Sequence, residues 1–155
     1  MLVLGSLLPD LVDKPLAWQF GLVGSGYSVA HSVFVAVPVC LLVFGLAVRR
    51  GSPELGTGFG AGYLLHLVGD VIPISIRRGE LVYAHLLWPL VRTEGPVRTG
   101  SVLEVSLVML RTYVREISSL EPSFVVGLQL SVVGLGLMLW LLDGRPGPAW
   151  VLDRL

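Results

Sequence analysis

Six histidines and aspartates, residue types able to bind a metal or move a proton, fall in the first 85 residues: Asp10, Asp13, His31, His66, Asp70 and His85. They include every histidine of the chain and three of its five aspartates. Neutral imidazole and carboxylate oxygen together suit zinc, and a carboxylate-rich set suits a harder ion such as manganese or magnesium. Asp10, Asp13, His31, His66 and Asp70 are therefore the candidate metal ligands. A bound ion would lower the pKa of a water molecule and polarise a carbonyl or phosphoryl oxygen. A carboxylate not needed as a ligand could then serve as general base, for which Asp13 is the candidate, and His85 is the second candidate catalytic group.

The lone cysteine, Cys40, lies in an apolar run, so neither a disulfide nor a thiolate zinc cluster can form, and a packing role is expected. The net charge is zero and no block of like charge forms a nucleic-acid footprint, which excludes that partner class. Apolar residues make up 54% of the chain and charged residues 14%, and mean hydropathy is +0.79. This is more apolar surface than one soluble core of this size needs, and lipid is the expected solvent.

The elements that must position these groups are helices. A spanning helix needs about 20 mainly apolar residues. Residues 27–48 meet that and end at Arg49-Arg50; residues 55–76 follow a Gly-Ser-Pro turn and end at Arg77-Arg78; residues 123–142 form a third clear span. Residues 1–9 and 101–120 are candidates for a fourth and fifth. In 101–120, Leu103, Leu107, Leu110, Val114 and Ile117 recur at helical spacing against Glu104, Arg111, Arg115 and Glu116, the pattern of an amphipathic helix. Residues 81–91 are apolar but short and broken by Pro89, which suits an interfacial or re-entrant segment with Trp88 at the interface. A polar tail follows residue 142. The first helix is expected to begin upstream of Met1. The expected fold is an all-α polytopic bundle, a single membrane-embedded domain over residues 1–155.

The first two spans must form an antiparallel hairpin, because the turn between them is too short to recross a bilayer. At a rise of ~1.5 Å per residue, His31 lies about 30 Å along one arm from the turn and Asp70 about 28 Å back along the other. The two therefore reach similar depth. His66 and Asp70 are four apart and share a helix side. Asp10 and Asp13 precede the hairpin by a loop holding Lys14 and three glycines, and His85 follows it by a few residues, so all six groups can meet at one end. Lys14, Arg77 and Arg78 at that end outnumber Arg49 and Arg50 at the other, which favours a cytoplasmic site. Gly56, Gly58, Gly60 and Gly62, and then Ser123, Gly127 and Ser131, supply small-residue faces for close helix packing and for a homo-oligomer.

Blander readings stand beside these. His31 alone could be an interhelical hydrogen-bond donor, Asp70 could pair with Arg77 or Arg78, and Asp10 and Asp13 could cap a helix or form a turn beside Pro9 and Pro15.

Four segments in this order, GSLLPDLVDKP at 5–15, AHSVF at 30–34, HLVGD at 66–70 and LLWPL at 86–90, resemble the YdjM-like family of membrane-bound proteins, described as metal-dependent hydrolases. The resemblance covers about residues 1–90. It implies a multi-pass protein of a prokaryotic cell membrane in which Asp10, Asp13, His31, His66 and Asp70 hold a divalent metal. The family usually has another histidine five residues before His31, where this chain has Gly26. Chemistry and resemblance together predict a hydrolase acting near the lipid headgroups on an unassigned substrate. The alternatives are ion or proton transport through the same groups, or a scaffold with a structural metal.

Overall fold

The computed structural model describes residues 1–92, 100–118 and 124–142. Its element order is α1 (Leu2–Lys14), a π-helical turn (Pro15–Gln19), α2 (Val33–Arg49), α3 (Pro53–Arg78), a 3-10 turn (Ala84–Leu87), α4 (Val102–Ile117) and α5 (Phe124–Leu142). The described residues contain no strand. The polar tail expected after residue 142 lies outside them, as do residues 119 and 120 of the expected amphipathic segment. Contacts divide the chain into two compact units, Met1–Leu110 and Arg111–Leu155, with α4 running across the division. All six candidate site residues belong to the first.

Among the described residues, only α3 and α5 are long and apolar enough to cross a membrane, so the three clear spans expected become two. The difference lies in residues 27–32, which read as the start of a span. They are not helical; α2 begins at Val33, where the Ser32 hydroxyl accepts a hydrogen bond from the Phe34 N–H at 3.2 Å as an N-cap. The 17 residues of α2 reach about 25 Å, short of the ~30 Å hydrocarbon core. Residues 1–9 join Asp10–Lys14 in α1 rather than forming a span of their own.

Local chemistry explains the turn between α2 and α3. Gly51 adopts a left-handed φ of 70°, and Pro53 then opens α3, where its missing N–H costs nothing. Gly79, at φ 68°, ends α3 behind Arg77 and Arg78, whose charges suit the negative end of the helix dipole.

The helices of the first unit pack around α3. A Cβ on Gly5 of α1 would stand 2.1 Å from the Phe59 carbonyl oxygen, and one on Gly62 of α3 would stand 2.1 Å from that of Leu2. Neither space exists for a side chain, so the two backbones touch through glycine. Gly56 does the same against α2, its Cβ position lying 2.7 Å from Phe44 Cα. Between these contacts Ala36, Phe59, Tyr63 and Leu67 form a buried cluster, and Leu8, Val39, Cys40, Val43 and Leu86 pack against it. The outward apolar residues, such as Leu41 at 65% exposure and Leu65 at 64%, are left uncovered by the described residues, as lipid-facing side chains require.

Candidate metal centre

The site is built on one buried carboxylate. Asp13, in the last turn of α1, is fully buried. Its Oδ2 accepts hydrogen bonds from the N–H groups of Ser28 at 2.8 Å and His31 at 3.1 Å, and both oxygens accept from Ala30 N–H at 3.0 and 3.1 Å. A buried charge must be met in this way or its desolvation is uncompensated. The loop before α2 therefore wraps onto α1 and is unavailable for helix. Tyr63 of α3 secures the same loop by donating its hydroxyl to the Ala30 carbonyl at 2.7 Å, and the Ser32 hydroxyl donates to the Trp88 carbonyl.

Asp13 also sets the orientation of His31. Its Oδ2 lies 2.8 Å from His31 Nδ1, so that nitrogen carries the proton and donates, and Nε2 faces the other way. Around Nε2 the remaining groups converge: His66 Nε2 at 3.2 Å, Asp70 Oδ2 at 3.2 Å and Asp10 Oδ1 at 3.6 Å. His66 Nε2 is in turn 3.3 Å from Asp70 Oδ2 and 3.7 Å from Asp10 Oδ1. Two triangles thus share the His31–His66 edge, the tighter closed by Asp70 and the looser by Asp10. The second oxygen of Asp10 pairs with Lys14 one turn later on α1.

Four donor atoms facing one small volume repel one another unless a proton or a metal ion lies among them. Asp70 Oδ2 is buried and lacks a hydrogen-bond partner among the described residues. In the protein alone a proton is the available cation, and His31 shows this electrostatically. Burial works against its charge, but the hydrogen bond to Asp13 and the close negative charges of Asp70 and Asp13 outweigh burial and push the imidazole from 6.5 up to about 9. A metal ion could take the same place, since Asp10, His31 and His66 each offer a ligand atom within 4.8 Å of the others. Side-chain exposure grades from 0% at His31 through 15% at His66 and 23% at Asp70 to 28% at Asp10. The cluster therefore opens on the carboxylate side.

Five of the six expected residues, Asp10, Asp13, His31, His66 and Asp70, meet at this end of the bundle. Within it Asp13 stands apart, on the far edge of the His31 ring with both oxygens engaged. Asp70 meets the two imidazoles rather than Arg77 or Arg78. His85, in the 3-10 turn, is buried at 4% exposure; its ring lies 5.5 Å from that of Tyr27, which sits edge-on to His31 at 5.0 Å. Burial pushes the His85 imidazole below the ordinary histidine value, and Asp70 and His31 are the charges that act on it.

Lys14, Tyr27, Ser28 and Tyr63 are the participants that the sequence reading did not single out. Tyr63 carried a usable signal, since Tyr63, His66 and Asp70 at i, i+3 and i+7 share one helix face. The backbone donors from Ser28 and Ala30 carried none.

A family model described as YdjM inner membrane protein matches residues 1–142. The chain belongs to the YdjM inner membrane protein family. Membership in the YdjM family, with two helices of spanning length, puts it in the cell membrane. The match runs well beyond the motif-bearing first 90 residues and takes in α4 and α5. No curated protein and no solved structure matches the chain.

Proposed function

We propose that this chain is a metal-dependent hydrolase working at one face of the cell membrane. The observation that carries the reading is the convergence of two imidazole nitrogens and two carboxylate oxygens at 3.2 to 3.7 Å. Donors around a tetrahedral zinc ion, with bonds of ~2.0–2.2 Å, stand about 3.3–3.6 Å apart. His31, His66 and Asp70 would be the firm ligands, because their separations are the shortest and Asp70 Oδ2 otherwise lacks a partner. Asp10 would be the loose fourth donor, its hold weakened by the pairing of its other oxygen with Lys14.

Zinc is the ion that this set of two histidines and carboxylates suits best, with manganese or magnesium as the harder alternatives. Such an ion supplies an activated water and a polarised substrate oxygen. The chain's residues do the rest. Asp13 keeps the His31 proton on Nδ1 and so frees Nε2. Asp10, whose donor separations are the longest and whose side chain is the most exposed of the four, would leave the ion to open a position for water and take the proton from that water at Oδ1. Lys14 balances the charge that Asp10 carries before that transfer. Hydrolysis adds the elements of water across one ester or amide bond, with the Asp10 proton passing to the leaving group. The apolar walls of the bundle exclude bulk water from all but the open side.

The test is elemental analysis of the purified full-length chain together with His66→Ala and Asp70→Ala. The proposal requires about one divalent ion per chain in the parent and its loss in both variants. An equal, substoichiometric metal content in all three would end it.

A further inference from the structure

Two polar side-chain atoms are buried without a hydrogen-bond partner among the described residues: Asp70 Oδ2 and His85 Nε2. The first is part of the four-donor cluster. The second is not used by the cluster, yet leaving such an atom unmet is costly enough that it calls for a ligand. His85 is held next to the site through Tyr27, whose ring touches those of both His31 and His85. It stands in the neutral form, because burial disfavours its charge. A neutral imidazole donates from one ring nitrogen and accepts at the other, so Nε2 meets an acceptor in the tautomer that carries its proton there.

Cationic groups complete the surroundings. The Lys14 ammonium, with a side chain 27% exposed, sits on Asp10 at the open side and 5.7 Å from the centre of the Trp18 ring. Arg77 and Arg78 close α3 at this same end, about 10–12 Å along the axis from Asp70. A carbonyl substrate needs one oxyanion contact, whereas a phosphoryl group carries several charged oxygens that need separate donors. A metal, the His85 donor and the Lys14 ammonium together make such a set.

We infer that the site binds a phosphate ester and that His85 Nε2 donates a hydrogen bond to one of its non-bridging oxygens. The inference rests on the metal-dependent reading above and narrows its substrate to the phosphate class. A phosphate of this kind can belong to a lipid headgroup or to a soluble ester.

The experiment uses the full chain in detergent, loaded with zinc and freed of excess metal. Inorganic phosphate and dihexanoyl phosphatidate are titrated separately into the parent, His85→Phe and His85→Gln, with zinc content measured for each. Phosphate binding to the parent, a loss of at least about tenfold in His85→Phe and recovery in His85→Gln, which returns an N–H near the place of Nε2, support the inference. Tighter binding of the phosphatidate marks a headgroup as the source, and equal binding marks a soluble ester. Unchanged affinity in His85→Phe, or no binding of either probe to the zinc-loaded parent, overturns it. Loss of zinc in both His85 variants overturns it too, because His85 would then be a ligand. A parent that holds no zinc instead overturns the metal reading itself and takes this inference with it. Should His85→Phe fail to fold, His85→Gln decides alone: affinity within threefold of the parent supports the donor role, and a tenfold loss with zinc intact contradicts it.

Discussion

Replacing Asp13 with asparagine separates two roles that a metal-site aspartate can have. The side chain keeps its shape but loses its charge, and one of its oxygens becomes an N–H donor. In the parent, Oδ2 receives Ser28 N–H, Ala30 N–H, His31 N–H and His31 Nδ1–H, all between 2.8 and 3.1 Å. If the amide oxygen takes the Oδ2 place, these four bonds survive as neutral ones, each weaker by about 1 kcal/mol. The new NH2 group then points at the Ala30 N–H that Oδ1 had shared. A stability loss of about 3–4 kcal/mol follows, within the range for breaking a buried charged network. Metal affinity should fall by about 10- to 100-fold, the usual cost of removing the group that orients a metal-bound imidazole, while stoichiometry stays at one. Thermal unfolding in detergent and chelator competition read the two quantities. Loss of stoichiometric metal altogether would make Asp13 a direct ligand, and an unchanged affinity and melting temperature would refute the orienting role.

Further outcomes follow from the packing and the charge of the site. Gly62→Val puts a side chain where the Leu2 carbonyl lies and should part α1 from α3, costing at least about 2–3 kcal/mol and the metal with it; Gly127→Ala, inside α5 at a position open to space, should leave the melting temperature equal or slightly raised. In the metal-free protein His31 is raised from 6.5 to about 9, so its contribution to stability is complete below 6.5 and is lost as pH rises through about 9. Melting temperature should fall across that window and the fall should flatten in His31→Gln. For the same reason zinc loading at pH 7 should release about one proton, read by calorimetry in buffers of different ionisation enthalpy.

The parts of the site that follow from helical spacing were legible in the sequence. His66 and Asp70 needed only the i, i+4 rule, and hairpin geometry was enough to match the depth of His31 to that of Asp70, which stand 3.2 Å apart. The start of α2 was not legible. Residues 27–32 are apolar enough to continue a span, and what draws them off is a carboxylate that their backbone N–H groups reach 15 to 18 residues away. Hydropathy does not register a backbone donor, so the sequence could not shorten α2, and it singled out Asp13 rather than Asp10 as the spare carboxylate although both Asp13 oxygens are engaged. The two sit three apart on one helix, yet one is sealed against the loop and the other faces the open side. The glycines of α3 were readable as a packing face, but their partner, Gly5 of α1, was not, because a single glycine without a small residue one turn away marks no face.

Anomalous scattering at the zinc and manganese edges from crystals of the full chain, with elemental analysis of the same preparation, reads whether His31, His66, Asp70 and Asp10 hold a metal ion. One peak is expected between His31 Nε2 and His66 Nε2, within bonding distance of Asp70, and no peak in His66→Ala. A folded, helical protein with no ion at that point, or with its ion bound elsewhere, would contradict the metal-dependent reading.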